Sequence, residues 1–248
     1  MNSSLISFYS SRIKSISKVH IALPERDERI RDAGKILSKI GLKISYAESI
    51  APSDNHIQLL KELKFSKNWP DENLIEYLNN SFIRSLVMLK NNEIDGVICG
   101  CTMPTSEVVR NSIRIIGLEK STKWLSSMFL MSDQKSEKIL SFSDCAVIPE
   151  PTSEQLSDIA EKTSRVHEML TGEKPKIAFL SFSTKGSANH YRVENVRKAV
   201  KIFKGRNPGI IHEGEIQLDA AIDSSVSDKK ITKSQLKGTA NILIFPNL

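Results

Sequence analysis

An apolar run near residue 180 ends abruptly in small polar residues. Residues 177–180 read Ile-Ala-Phe-Leu, and residues 181–187 then supply four hydroxyl groups, a lysine and a glycine. A loop at the carboxyl end of a buried strand is where open α/β sheets bind their ligands. Hydroxyls, a cation and backbone N–H groups suit an anion such as phosphate. We therefore predict that residues 181–187 form an anion-binding loop.

Two basic residues are candidates for anion contacts. Lys185 lies in this loop, but the segment lacks the glycine and lysine spacing of a nucleotide triphosphatase loop. Arg110 lies in a predicted helix that follows residues 99–106, and its planar guanidinium matches phosphate oxygens. The alternative for both residues is an ordinary side chain in solvent.

The sequence gives little support for metal or thiol chemistry. Cys99 and Cys101 are one residue apart, which is not the thioredoxin spacing, and no histidine lies nearby. The five histidines are scattered, so we expect structural or surface roles for them. Asp144 and Asp219 are candidate polar anchors that accept backbone N–H groups.

Composition predicts a folded protein outside the membrane. Of 248 residues, 40% are hydrophobic and 26% are charged, which suits a packed core. No apolar run approaches the roughly 20 residues of a membrane helix, and the N-terminus is a poor signal peptide. With three cysteines, we expect a cytoplasmic location and no membrane partner.

The chain has a net charge of +6, from 35 basic and 29 acidic residues. Such an excess can attract nucleic acid or anionic small molecules. The basic residues are spread along the chain, without a dense run interleaved with aromatic residues. We therefore expect small anionic substrates and no nucleic acid.

Hydrophobic periodicity predicts alternating strands and helices, the rhythm of parallel α/β sheets. Strands are predicted at 18–24, 43–47, 94–100, 124–131, 143–149, 177–182 and 240–246, with loop and strand over 210–218, and helices at 30–40, 73–90, 105–115, 153–170 and 193–204. Pro149 and Pro151 indicate a boundary, so we predict an N-terminal α/β domain over 1–147 and a second over 148–248. Residues 1–17 are serine-rich and are predicted to be loose.

Eight stretches, in order, resemble the phosphate acetyltransferase/phosphate butyryltransferase family, and most of all its phosphate acetyltransferase branch. They are Leu-Pro-Glu at 23–25, Asp-Gly-Val at 95–97, Val-Arg at 109–110, Ser-Ser-Met-Phe-Leu-Met at 126–131, Asp-Cys-Ala-Val at 144–147, Leu-Ser-Phe-Ser-Thr-Lys-Gly-Ser at 180–187, Gly-Glu-Ile-Gln-Leu-Asp-Ala-Ala at 214–221 and Ala-Asn-Ile-Leu-Ile-Phe-Pro-Asn-Leu at 240–248. Each stretch alone is weak, but the ordered set is specific.

The resemblance implies two open α/β domains with mainly parallel sheets and an active-site cleft between them. It implies reversible acetyl transfer between coenzyme A (CoA) and phosphate, a step of acetate metabolism, with acetyl-CoA, phosphate and acetyl phosphate as substrates. It also implies a homodimer, with no metal and no cofactor. Cys145 matches a family cysteine, for which packing is at least as good an explanation as catalysis. The substrate-binding residues implied are Arg110, Ser183, Thr184, Lys185, Ser187, Lys64 and Ser126.

This sequence departs from the family pattern in places. Lys64 stands where an arginine is common, which keeps the charge but loses the bidentate fork. Another commonly basic position aligns near Asn79. The family also continues beyond residue 248 with a serine–arginine pair and an aspartate assigned to phosphate binding and thiol deprotonation, so no catalytic residue is assigned here.

Two functional interpretations follow from these departures. One is a C-terminally shortened acyltransferase, for acetyl or a butyryl-like group, with impaired chemistry, since one lost electrostatic donor costs about 10²–10³ in rate. The other is a degenerate, non-enzymatic remnant that binds CoA, phosphate or protein partners.

Overall fold

The computed structural model describes residues 18–46, 52–120, 122–132 and 138–248. The chain divides into two compact units, residues 1–122 and 123–248. The prediction for residues 1–17 lies outside the described residues. In the described part of the chain, no helix has the length and apolar character needed to cross a membrane.

The first unit contains a parallel three-stranded sheet in the order β2-β1-β3. Its strands are β1 (His20–Leu23), β2 (Lys43–Tyr46) and β3 (Gly96–Val97), and its helices are α1 (Glu28–Lys39), α2 (Asp54–Glu62), α3 (Asp71–Leu78), α4 (Ser81–Lys90) and α5 (Thr105–Ile115). Helices α2 to α5 share an apolar core that includes Leu60, Leu74, Phe82 and Ile115.

The single helix predicted over 73–90 is wrong. The chain forms α3 and α4 instead, separated by Asn79 and Asn80. Asn80 is extended, and its side chain accepts hydrogen bonds from the N–H groups of Phe82 and Ile83 at 2.9 and 3.3 Å. An asparagine cap thus begins a new helix where hydrophobic spacing alone indicated continuity.

The second unit contains a five-stranded sheet in the order β4-β5-β8-β6-β7. Its strands are β4 (Phe129–Ser132), β5 (Ile139–Ser143), β6 (Lys176–Leu180), β7 (Ile211–Ile216) and β8 (Ile242–Ile244), and its helices are α6 (Ser153–Thr171), α7 (Tyr191–Arg206), α8 (Leu218–Ile222) and α9 (Ser224–Lys230). Among the described strands of this sheet, β4 and β5 pair antiparallel and the other pairs are parallel. The prediction of an α/β fold with mainly parallel sheets is confirmed.

Strand β6 is buried on both faces, as its continuous apolar sequence predicts. Ile177 and Phe179 pack into the core beneath α6 and α7. Ala178 and Leu180 alternate with them and pack with residues of α8 and the segment that follows α9. The sheet of this unit therefore lies between two helical layers, and its strand ends are left to form loops.

The division between the units differs from the predicted boundary after residue 147. β4 and β5 precede that boundary, yet β5 pairs with β8 and β4 pairs with β5. Both strands therefore belong to the second unit, and the two prolines lie within it. The strand predicted over 143–149 is also wrong beyond Ser143, where residues 144–147 form a bend.

Candidate functional site

The loop after β6 is organised around the carboxylate of Glu215. This residue lies on β7 and is 3% exposed. Its Oε1 accepts a hydrogen bond from the Gly186 N–H at 2.7 Å and another from the Ser183 hydroxyl at 3.1 Å. Arg197 on α7 donates to both carboxylate oxygens at 3.0 and 3.1 Å. One carboxylate therefore fastens the loop to β7 and α7.

The electrostatics keep Glu215 charged. Burial by itself raises the pKa of this carboxyl, but hydrogen bonds from Arg197, Gly186 and Ser183 outweigh burial, so the pKa lies below its ordinary value. The loop thus encloses a permanent negative charge at neutral pH.

The backbone N–H groups of the loop are already in use. From Ser183 to Ala188, each N–H donates either within the loop or to Glu215. The acceptors are, in chain order, the hydroxyls of Ser181 and Ser187, the backbone oxygen and then the carboxylate of Glu215, the carbonyl of Thr184, and the hydroxyl of Ser183. A phosphate bound at residues 183–188 therefore has to be held by side chains.

The four predicted donors of this loop have different environments. Ser183 is fully buried and fastens the loop. The Thr184 hydroxyl donates to Gln217 Oε1 at 3.3 Å and accepts from the Gln217 N–H at 3.0 Å. Lys185 extends toward Glu213, with 3.1 Å between Nζ and Oε1. Lys185 and Ser187 are the exposed members of the set.

A second internal carboxylate, Asp144, follows β5. It accepts the N–H of Ser127 at 3.0 Å and the N–H of Ile148 at 2.9 Å, and it also accepts the Ser127 hydroxyl. Burial alone raises the pKa of Asp144, but these bonds hold it below its ordinary value. Ser126, the predicted substrate residue, is half-buried beside this anchor. The neighbouring Ser127 makes the structural contacts.

A third internal carboxylate, Glu25, lies just after β1 in the first unit. It is 7% exposed and accepts four backbone N–H groups from residues 100–103, at 2.6 to 3.0 Å. The Thr102 hydroxyl donates a fifth hydrogen bond at 2.7 Å. Burial raises the pKa of Glu25, but the hydrogen bonds from Thr102, Cys101 and Gly100 together lower it by more than burial raises it. The pKa therefore lies below its ordinary value.

The same device therefore recurs at three strand ends. Glu25 and Asp144 each use a buried carboxylate to collect several N–H groups at a strand end, and the buried Glu215 carboxylate accepts one N–H, that of Gly186, from the loop after β6. Such carboxylates fix loop shape at the edge of the sheet where α/β proteins bind ligands. They also leave ligand contacts to exposed side chains.

Arg110 and Lys64 offer such contacts in the first unit. Arg110 lies on α5 and Lys64 lies between α2 and α3, and both are exposed. Within the described ranges neither side chain makes an ion pair, so both retain donors for an anion. They lie in a different unit from the other five predicted residues, which belong to the second unit.

A concave pocket of about 480 Å³ lies in the second unit, where α6 and α7 begin. Thr152 caps α6 and His190 caps α7. Two cations, Arg192 and Lys198, and two carboxylates, those of Glu150 and Glu194, line the pocket. Its charges balance, so it suits the neutral part of a ligand as well as an anion.

Cys99, Cys101 and Cys145 are free thiols, and Cys99 and Cys145 are partly buried. Burial, aided by the charge of Glu25, raises the pKa of Cys99 to about 11. Burial and the charge of Asp144 also raise the pKa of Cys145. Both groups are protonated at neutral pH, which supports packing roles. In the part of the chain that the structure describes, no group of three or more histidine, cysteine, aspartate or glutamate residues could hold a metal ion.

Sequence reasoning missed Glu215 and Arg197 as the residues that shape the loop. The position of Glu215 carried a signal, since this residue lies in the 214–221 stretch that resembles the family, whereas Arg197 lies outside all eight stretches. Glu25 lies in another such stretch. Neither local pattern indicates which distant N–H groups a carboxylate will meet.

Comparison with known proteins places this geometry in a family. The family described as phosphate acetyl/butaryl transferase matches residues 13–248. The chain is similar to the phosphate acetyltransferase of Clostridium acetobutylicum, with 36% identity over 220 residues, covering 85% of this chain and 66% of the relative. It is also similar to that of Thermoanaerobacterium thermosaccharolyticum, with 35% identity, covering 92% of this chain and 70% of the relative.

A similarity to a solved structure supports the same family. The crystal structure of a phosphotransacetylase from Streptococcus pyogenes matches with a TM-score of 0.87 and 28% identity, covering 99% of this chain and 82% of that one. The chain thus spans about two thirds of the length of the two relatives above. The resemblance read from the eight stretches is confirmed: the chain belongs to the phosphate acetyl/butaryl transferase family.

Proposed function

We propose that this chain is a phosphate acetyltransferase that transfers an acetyl group reversibly between CoA and phosphate. Acetyl-CoA and phosphate give acetyl phosphate and CoA. Family membership supports this reaction class. The relatives named phosphate acetyltransferase support acetyl as the transferred group.

The loop at 181–188 is the observation that carries the proposal. It follows a parallel strand, its shape is fixed by the buried Glu215 carboxylate and its half-buried partner Arg197, and it exposes Ser187 and Lys185. A fixed loop presents polar groups to a substrate with little loss of conformational entropy on binding. In the first unit, Arg110 and Lys64 are exposed cations for which the family resemblance implies anion contacts.

The chemistry explains why such groups are needed. The CoA thiol loses its proton, because the thiolate is the nucleophile. The sulfur attacks the acetyl carbonyl carbon, a C–S bond forms, and the C–O bond to phosphate breaks. Phosphate takes the electron pair and leaves as a multiply charged anion. Hydrogen-bond donors must stabilise the carbonyl oxyanion, and cations must hold the phosphate. This chemistry uses CoA as a substrate and requires no metal or other cofactor.

The direct test is CoA-dependent release of phosphate from acetyl phosphate by this chain. Arg110→Ala should lower kcat/KM by about 10²–10³, the usual effect of losing one electrostatic donor. Arg114→Ala is the matched control, because Arg114 is also an exposed arginine of α5. Equal rates for the Arg110 and Arg114 variants would remove Arg110 from the site.

Two further measurements separate the alternatives. Butyryl phosphate assayed beside acetyl phosphate reports the acyl preference. If no phosphate is released, calorimetric titration with CoA distinguishes a CoA-binding remnant from a protein without affinity for CoA. Turnover that survives EDTA supports the metal-free reaction, whereas turnover abolished by EDTA and restored by a divalent cation would refute it.

We also propose a cytoplasmic homodimer. The free thiols of Cys99, Cys101 and Cys145 support a reducing compartment. Light scattering of the purified chain tests the dimer, and fractionation of the source cells tests the location.

A further inference from the structure

A second concave pocket, the edge pocket, lies against β7, the strand at the edge of the second sheet. It has a volume of about 560 Å³, within the range of small-molecule sites. It lies between the end of α7, the middle of β7 and the segment that follows α9. The residues that define its charge are Lys185, Lys204, Lys230, Lys233 and Glu213.

The edge pocket carries an excess of positive charge. Four lysines line the pocket, and Glu213 is the one acidic residue among the described residues of its lining. Glu213 is 7% exposed and already engaged, since its Oε1 meets Lys185 and its Oε2 accepts the Ser234 hydroxyl at 2.6 Å. The carboxylate is therefore held in the wall of the pocket, and neutralises one of the four cations.

The lysines differ in what they already bind. Lys230 donates to Asp219 at 2.7 Å and to Gln217 at 2.9 Å. Lys204 and Lys233 are exposed and make no ion pair within the ranges that the structure describes. Two ammonium groups from different segments thus face one concavity with their charge uncompensated.

Neutral groups complete the lining. The His212 Nδ1–H donates to the Ile210 carbonyl at 2.7 Å, which fixes the ring. Thr232 and Gln235 add side chains capable of hydrogen bonding, and Val200 and Ile231 add apolar surface. This combination suits a compact polyanion attached to a small organic group.

We propose that the edge pocket binds a phosphorylated small molecule that carries at least two negative charges. Lysine ammonium groups bind phosphate as point charges with freely rotating donors. Two uncompensated ammonium groups favour a ligand with two or more charges over a monovalent anion. The site is separate from the substrate contacts above, apart from Lys185, which belongs to both the loop and the pocket.

An alternative explanation is protection of the sheet edge. Lysines beside an edge strand discourage pairing with other chains. Edge protection needs positive charge but no bound ligand, so a binding measurement separates the two explanations.

The test is calorimetric titration of the full chain with inorganic pyrophosphate. Lys204→Ala/Lys233→Ala should weaken pyrophosphate binding at least tenfold. Lys201→Ala/Lys229→Ala is the matched control, because it also removes two exposed lysines, one from α7 and one from the end of α9 close to Lys233, and neither of them lines the pocket. The control should bind pyrophosphate as the unaltered chain does.

Three results would overturn the proposal. The first is that the unaltered chain does not bind pyrophosphate, and the second is that the pocket variant binds pyrophosphate with unchanged affinity. The third is that the two double variants weaken pyrophosphate binding equally. The first result, together with aggregation of the pocket variant, would favour edge protection. Pyrophosphate bound only at the proposed substrate site would give the second result, because neither Lys204 nor Lys233 belongs to that site.

Discussion

Glu25→Ala tests whether an internal carboxylate holds the loop that follows β3. The substitution removes the acceptor of five hydrogen bonds, four from the backbone of residues 100–103 and one from the Thr102 hydroxyl. It creates no steric conflict, since alanine is smaller. The stability change therefore reports the lost acceptor.

The magnitude follows from the environment of the carboxylate. A hydrogen bond to a charged group contributes about 1.5–3 kcal/mol net, and Glu25 accepts five such bonds. Gly100, Cys101 and Thr102 are exposed, so water can reach the vacated donors. We therefore expect the loss of all five bonds to lower the free energy of unfolding by about 3 kcal/mol, well below five times the value of a single bond.

Urea denaturation can measure this loss in the first unit alone. The chain has two tryptophans, and a Trp124→Phe background leaves Trp69, in the first unit, as the fluorescent reporter. Glu62→Ala, a change at an exposed glutamate, is the control and should stay within about 0.5 kcal/mol of the background.

Formate sharpens the test because it can replace the missing carboxylate. At a formate concentration ten times its Kd, binding to the vacated N–H groups should restore about 1.4 kcal/mol to Glu25→Ala. Chloride at equal ionic strength should not. A loss below about 1 kcal/mol, or equal stabilisation of the background by formate, would refute this account of the loop.

Two further predictions concern the second unit. Gly214→Ala should lower the free energy of unfolding by about 1–3 kcal/mol, because the new Cβ would lie 2.7 Å from Phe179 Cβ and 2.8 Å from Val200 Cγ2. The control is Gly209→Ala, whose Cβ would meet nothing within 4 Å and which should change the melting temperature little. Equal melting temperatures for the two variants would refute the packing argument. For Asp144 the folded-state pKa lies below the ordinary 3.8, so its stabilisation is full above that pH and is lost as pH falls through the folded pKa. In urea titrations the stability gap between wild type and Asp144→Asn should be constant from about pH 5 to 7 and shrink below about pH 4; a gap independent of pH would refute this assignment.

The sequence predicted most elements because their patterns are local. The continuous apolar run of β6 and the helical periodicity of α6 involve neighbouring residues. The failures involve polar residues that act against the hydrophobic pattern. Asn80 starts a new helix within one hydrophobic periodicity, and Asp144 turns the chain within an apolar run that resembles a strand.

The candidate site was only partly predictable, because its framework depends on distant contacts. Glu25 and Gly100 are 75 residues apart in sequence, and Ser183 and Glu215 are 32 apart. Local composition indicates that a loop is rich in hydrogen-bond donors. It cannot indicate that a carboxylate from another strand will occupy those donors.

Because these loop N–H groups are already hydrogen-bonded within the protein, they are not free to bind the proposed substrates. Loops rich in N–H groups ordinarily hold phosphate with the backbone, largely independently of side-chain identity. Here Glu25 accepts the N–H groups of residues 100–103, and those of residues 183–188 donate within their loop or to Glu215, so the proposed phosphate contacts fall to exposed side chains such as Arg110, Lys64 and Ser187. Replacing an arginine by lysine at such a position changes binding directly, because no backbone donor compensates for the lost guanidinium fork. The lysine at position 64 is therefore expected to affect phosphate affinity more than the shape of the loops.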